Sequence, residues 1–449
     1  MLRKPTPHQA ALEMVTLEQL VPADHLLRQI ATTIDFGFIR DRVAHLYSPD
    51  NGRPALDPVV LFKILFIGYL FGVRSERQLM REIAVNVAYR WFLDMRLTDP
   101  VPDASTLSQN RRRRFLDSTI YQEIFDAIDR GLVDGTVLYT DSTHLKANAN
   151  KNKYDLAAVA KSRADYLDAL DRAIGEDRAA HGKSSLKEQP REAVEKETKI
   201  SRTDPDSGYM VRDGKPKGFF YLDHRTVDGR HAIITDSYVT PASQHDSIPY
   251  LGRLDRQRSR FGLDVRAVGL DAGYSTAGIA KGLEDRTIQG VIGYRRPTHR
   301  DGFLRKRNFA YDRDLDGYRC PEDQLLPYRT TNRDGYRQYH SDPAICRACP
   351  LLASCTSSAN RTKVVTRHVW QDAKERIDAN RLTDWGKRLY KRRKETVERN
   401  FADAKQLHGH RYARFRGLLA VTEQCLLAAA VQNMKKIAQA LTKIEPRPA

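Results

Sequence analysis

The chain has 449 residues, more than one domain core usually holds, so two or three units are expected. Hydrophobic residues make up 41% and charged residues 29%, which excludes a disordered chain. The net charge of +18, with lysines and arginines in local runs, points to a polyanionic partner, nucleic acid before any other.

The N-terminal sequence reads as helices to about residue 135. Leu2, Arg3 and Lys4 run into Pro5-Thr6-Pro7-His8 with no apolar stretch behind them, which does not read as a secretory leader. The strongest apolar run, Pro58 to Val73, is short for a bilayer and contains Lys63, so it is read as a buried core helix, with no membrane partner. Asp57-Pro58 caps it. Ser75-Glu76-Arg77-Gln78 has capping-box spacing and opens a second helix. A third starts at Pro102-Asp103-Ala104-Ser105 and ends in Arg111, Arg112, Arg113 and Arg114. Short capped helices ending in arginines fit a DNA-binding domain, with Arg112 and Arg113 as contacts; a helical scaffold with a solvated arginine face fits equally well.

From Thr136 the pattern becomes β-prone. Thr136–Thr140 is expected to be a strand ending at Asp141. A polar stretch from Asn148 to about Asp213 follows, its middle (Lys161 to Lys199) forming an exposed helix or staying mobile. Strands resume at Gly218–Asp223, His231–Thr235, Val265–Leu270 and Gln289–Tyr294, with a helix at Thr276–Leu283. Strands followed by alternation with helices give a mixed α/β class. The segment 295–366, rich in Arg, Asp, Tyr, Pro and Cys, reads as an inserted module. Two helices close the chain, at about Leu382–Leu407 and Leu418–Leu441. The expected units are 1–135, 136–294 with a charged insertion at about 148–213, 295–366 and 367–449.

Asp141 and Asp271 each follow an apolar strand. Either alone reads as a turn or a helix cap; together, from neighbouring strands, they would form a hard-oxygen site suited to Mg²⁺ or Mn²⁺. Glu398 adds a third carboxylate within a strongly basic helix. At 3.6 residues per turn it shares a face with Lys391, Lys394 and Lys405, which suits a metal ligand flanked by phosphate-binding groups. Arg393 and Arg399 lie alongside.

Four of the five cysteines crowd into the inserted module: Cys320, Cys346, Cys349 and Cys355. Cys346-Arg347-Ala348-Cys349 is a CxxC pair, and four thiolates could close a tetrahedral structural Zn²⁺ site; packing as small apolar side chains is the alternative. Reduced, metal-competent cysteines fit the cytoplasm, at the nucleoid. Cys425, in an apolar helix, reads as core.

The YTDST sequence at Asp141, GLDAGYS at Asp271 and the helix holding Tyr390, Arg393, Glu398 and Lys405 resemble the DDE transposases of bacterial insertion sequences (the IS-four/IS-five-like group). The similarity extends over GRPALDPVVLFKILFIGYLFGVRSERQLMREI, the Thr240–Asp246 segment and the cysteine-rich insertion. Glu398 and Lys405 keep the family spacing, whereas Arg393 stands one residue too far from Glu398, with Lys394 in the expected slot. The resemblance implies an RNase H-like mixed sheet flanked by helices. It further implies that Asp141, Asp271 and Glu398 hold two divalent ions, normally Mg²⁺, that the enzyme cleaves at the element's ends and joins them to target double-stranded DNA, and that it works as a homodimer. His245 and Asp246 are left outside the catalytic set, since a strand-end cap serves them equally well. Two other readings stand beside it. One is a zinc-stabilised DNA-binding protein without catalysis, which would not need the triad. The other is an RNase H-like nuclease that cuts without joining, separated by strand-transfer activity.

Overall fold

The computed structural model describes residues 12–48, 55–115, 119–126, 132–160, 166–187, 195–211, 217–298 and 300–444. The Leu2–His8 segment, part of the GRPALD sequence, and residues 161–165 and 188–194 of the charged stretch lie outside the described residues.

Among the described residues, eight α-helices precede the first strand: α1 (Leu17–Leu20), α2 (Leu26–Thr33), α3 (Phe38–Val43), α4 (Pro58–Leu70), α5 (Glu76–Val85), α6 (Val87–Phe92), α7 (Ala104–Asn110) and α8 (Ile120–Asp126). The caps form as the sequence predicts. Asp57 accepts from the Val59 N–H at 2.8 Å, Ser75 from Gln78 at 3.3 Å and Asp103 from Ser105 at 2.7 Å. Ten residues of α4 are buried, because the helix is apolar on all sides. The arginine run is a π turn, Arg111–Phe115, which buries Arg111 and Phe115 and leaves Arg112 and Arg113 exposed.

The central strands are β1 (Val137–Lys146), β2 (Tyr154–Ala160), β3 (Glu195–Ser201), β4 (Gly208–Met210), β5 (Gly218–Asp228), β6 (Ile234–Pro241), β7 (Ala267–Leu270) and β8 (Gln289–Ile292). The main sheet runs β6-β5-β1-β7-β8, with β4 also on β5. β1, β7 and β8 are parallel, and β5 is antiparallel to both its neighbours. This is the mixed sheet flanked by helices expected above. Three details differ from the sequence reading. β1 does not stop at Asp141: its parallel pairing with β7 ends at Thr140↔Leu270, but its antiparallel pairing with β5 continues to Lys146↔Phe220. Within the polar stretch, β2 and β3 pair as a hairpin around α9 (Leu167–Ala180). β6 also begins later than expected and runs on to Pro241.

Helices α10 (Tyr250–Phe261) and α11 (Ala277–Asp285) pack with β7 and β8 around Leu254, Val268, Ile279 and Leu283. The cysteine-rich segment folds as an antiparallel meander: β9 (Ala310–Asp312), β10 (Gly317–Arg319), β11 (Leu325–Thr331), β12 (Tyr336–His340) and β13 (Val364–His368). Short helices α12 (Pro343–Cys346) and α13 (Leu352–Cys355) cross between β12 and β13. Its small core is largely aromatic, with Phe309, Tyr318 and Tyr339 at its centre. α9 docks on it: Arg337 Nε donates to Asp177 at 2.7 Å, and Arg178 to the Thr331 carbonyl at 2.8 Å.

The chain returns through α14 (Gln371–Leu382), α15 (Asp384–Arg392), a π turn (Lys394–Glu398), α16 (Arg399–Leu407) and α17 (Leu418–Ile444). The expected helix at 382–407 is therefore interrupted twice, by the Thr383 cap and by the π turn. α17 packs on α2, α4, α8 and β6. One continuous apolar cluster thus joins the N-terminal helices to the sheet.

Candidate active site

Asp141 sits on β1 where its β7 neighbour leaves, half-buried at the end of the parallel pairing. Asp271 is the first residue past β7, so the two aspartates are one step apart on adjacent strands. Asp271 also caps a short 3₁₀ turn, accepting from the Gly273 N–H at 2.8 Å. Burial raises the Asp141 carboxyl to about 6; Arg393 opposes this, while Asp271 and Asp246 add to it. Several carboxylates thus press on one another in a poorly solvated place, which is where a cation is most favourable.

The π turn explains the odd spacing of Arg393. The Glu398 N–H donates to the Arg393 carbonyl at 3.1 Å, an i→i+5 bond that absorbs one extra residue. Arg393, not Lys394, therefore turns inward. It is 3% exposed, and its Nη2 donates to Asp141 Oδ2 at 2.8 Å. Its Nη1 lies 3.3 Å from the Tyr390 hydroxyl. Tyr390 approaches the Asp271 turn only because residue 293 is glycine: a Cβ there would stand 2.6 Å from the Tyr390 hydroxyl and 2.8 Å from the Ala272 nitrogen.

Glu398 shares a groove of about 420 Å³ with Asp141, His144, Lys405 and Arg411. Asp141, Glu398 and Lys405 line this groove, and Arg393 reaches it through Asp141. Asp271, just past the neighbouring strand, does not line it, and the oxygens of Asp141, Asp271 and Glu398 do not all lie within 4.8 Å of one another. The extra residue of the π turn takes Lys391 and Lys394 out of phase with Glu398, so the four-residue face read at 3.6 residues per turn is corrected to Glu398 and Lys405, with both lysines outside the groove. Arg399 is exposed and pairs with Asp403 at 3.0 Å. Arg112 and Arg113 belong to the N-terminal helices.

Two residues near the site were not in the catalytic set read from sequence: Asp246, which was left outside it, and Arg225, which was not singled out. Asp246 is buried close enough to Asp141 to act on its charge. Arg225 faces Asp141 across β1 and β5 and is fully buried. Its guanidinium donates to Asp223 at 2.8 Å, to Asn400 on α16 at 2.9 Å and to Gln432 on α17. Burial alone would raise the Asp223 carboxyl, but Arg225 and His410 hold it below the ordinary range.

Among the described residues, the trio of metal-ligand types whose atoms lie within 4.8 Å of one another is Asp223, His410 and Cys425. The Arg225 guanidinium already supplies a cation there, so this cluster is a buried polar network. Cys425 is fully buried, as expected of core. The four module cysteines line one cavity of about 250 Å³ with Phe309, Leu326 and Lys363. Burial raises the Cys355 thiol, with Lys363 opposing and the other three cysteines adding to the rise.

A transposase domain (DUF772) matches residues 15–113, and a transposase DDE domain matches residues 319–438. No curated protein matches the sequence. Among solved structures, the chain is similar to the piggyBac transposase in a synaptic complex with hairpin DNA, at 10% identity and a TM-score of 0.36, over 95% of this chain and 75% of that one. No helix among the described residues is long and apolar enough to cross a membrane. A transposase domain over the N-terminal helices and a transposase DDE domain over the segment that carries Glu398 together support a DDE transposase.

Proposed function

We propose that Asp141, Asp271 and Glu398 are the catalytic carboxylates and hold two divalent ions, Mg²⁺ or Mn²⁺, for cleavage of DNA at the element's ends and transfer of the freed 3′-hydroxyl into target DNA. The observation that carries this is that Asp141 and Glu398 line one groove, with Asp271 just past the strand beside Asp141. The donor set is all carboxylate oxygen, which suits hard cations. Bound ions would supply activation of the attacking hydroxyl and charge neutralisation at the leaving 3′-oxygen. The protein's part is positioning and charge. Arg393 holds Asp141 in place, where its guanidinium would sit beside the phosphate bound at that carboxylate. Lys405 faces the same groove as a point charge for the scissile strand. Arg393 takes the inward role and Lys394 remains outside. Lys391, Arg399, Arg112 and Arg113 are further DNA contacts, and two copies pair two ends.

The test is incubation with DNA carrying the element's ends and Mg²⁺, with strand-specific mapping of products. Free 3′-hydroxyl ends that become joined to a second DNA are expected. Products that are cut but never joined would favour the nuclease reading.

Metal affinity should depend on pH through Asp141. Protons compete with cations while the carboxyl is protonated, so apparent Mn²⁺ affinity should climb about tenfold per pH unit up to about 6 and level off above it. A calorimetric titration series from acid to neutral pH checks this, and a flat profile would remove Asp141 from the ligand set.

We also propose a structural Zn²⁺ held by Cys320, Cys346, Cys349 and Cys355, in a module at 295–366 between a catalytic core of 136–294 and 367–449 and an N-terminal DNA-binding unit of 1–135. Cys349→Ser should release the zinc and loosen this module before the rest of the chain melts. Metal analysis finding no zinc in freshly purified wild-type protein would refute it.

A further inference from the structure

A second basic cavity lies outside the carboxylate groove. Its volume is about 910 Å³, and its walls are α4, α5, the α7 end, the Arg414–Phe415 segment and α17. Six arginines line it (Arg74, Arg77, Arg81, Arg111, Arg112 and Arg414) against the carboxylates Glu76, Asp103 and Glu423. Arg111 neutralises Glu76 at 3.0 Å, so the cavity keeps a clear excess of positive charge.

The donors in it are held in place and incompletely used. The Arg111 guanidinium lies 3.6 Å over the Phe415 ring, and that of Arg414 lies 3.9 Å over Tyr69. Among the described residues, Arg111 Nε, the Tyr121 hydroxyl, and Arg414 Nε and Nη2 are buried without a hydrogen-bond partner. Arg111 is 8% exposed. Buried donors left unmatched cost free energy, and an acceptor-rich anion would recover it.

The cavity is also joined to the groove of Asp141 and Glu398. Arg411 lines that groove. The next residue, Tyr412, carries Arg74 at 5.1 Å and Lys146 at 5.8 Å over its ring. Lys146 ends β1, the strand of Asp141, and is bridged to this segment by Lys146 N–H to the Arg411 carbonyl at 3.1 Å and Ala413 N–H to the Lys146 carbonyl at 2.8 Å. Two residues on is Arg414. A line of cations thus runs from the carboxylates into the cavity.

We infer that this cavity is a second DNA-backbone site, which seats the phosphodiesters of a single strand continuing from the carboxylate groove. It rests on the DNA-processing reading of that groove. The volume is in the range of pockets that enclose one ligand and suits a short run of one strand rather than a duplex. Flat guanidinium and aromatic surfaces tolerate any base, so recognition here is of backbone and not of sequence.

The test uses full-length protein with a labelled single strand, and a duplex of the same sequence, over a series of salt concentrations. Arg414→Gln and Arg112→Gln should each weaken single-strand binding about three- to tenfold and flatten its salt slope by roughly 0.7. The duplex should be affected less. Arg112 is exposed, so its variant keeps the test valid if Arg414→Gln proves unstable. Wild-type affinity and slope for the single strand in Arg112→Gln, or an equal loss on duplex, would overturn the inference. The readout needs no cleavage, so a failure of the catalytic reading would show separately, as intact binding with no metal-dependent product.

Discussion

Replacing Asp141 or Asp271 with asparagine, or Glu398 with glutamine, is expected to lower metal-dependent strand cleavage by about three orders of magnitude or more. Each change keeps the side chain's size and removes the charge that a divalent ion requires, and a bound metal is worth several kcal/mol to the transition state. DNA binding should persist, because the cations that meet the backbone are untouched. Asp141→Asn also takes the ion-pair partner from Arg393, which is buried. Its melting temperature must therefore be followed alongside its rate. Strand-resolved cleavage assays beside equilibrium DNA binding give the answer. A variant that cuts within tenfold of wild type would exclude that residue from the metal site, and lost binding with normal cleavage of bound DNA would contradict the assignment.

The largest effect on stability is expected at Arg225. Arg225→Met leaves Asp223 buried and without its guanidinium, a loss of about 3–5 kcal/mol for one half of a buried pair. The double replacement Arg225→Met with Asp223→Leu should recover much of that, since apolar side chains of similar volume often serve a buried site equally well. Cleavage should not recover with it. Arg225 ties β5 to Asn400 and Gln432, and Asn400 lies two residues beyond Glu398 on the same helical stretch. Thermal melts and cleavage rates of the two variants separate the roles, and a double variant regaining both would make Arg225 purely structural. The pH dependence follows from Asp223. Its carboxyl is held below the ordinary value, so the network's contribution is complete above about pH 4 and fades as pH falls below that.

Much of this was legible because its signals are local. The caps at Asp57, Ser75 and Asp103 and the all-apolar run of α4 each report on a few neighbouring residues, and all formed as read. The two aspartates stood out only as a pair, since either alone reads as a turn or a cap. Distant pairings were not. Nothing local marks β2 and β3 as a hairpin, since their charged residues read equally well as an exposed helix. Arg225 looks like any arginine in a strand until three partners from distant segments, Asn400, His410 and Gln432, close around it. The lysine face around Glu398 was misread for another reason: counting at 3.6 residues per turn assumes an uninterrupted α-helix, and this one changes pitch at Lys394.

That change of pitch loosens the link between spacing and chemistry. An arginine four residues before a glutamate in a regular helix and an arginine five residues before it across a wide turn present their side chains to the same strand. A search that demands one fixed interval would pass over this chain while keeping others with an equivalent pocket. Insertion of a single residue, commonly ruinous inside a helix, is absorbed here within one coil of backbone, and the guanidinium still reaches its carboxylate.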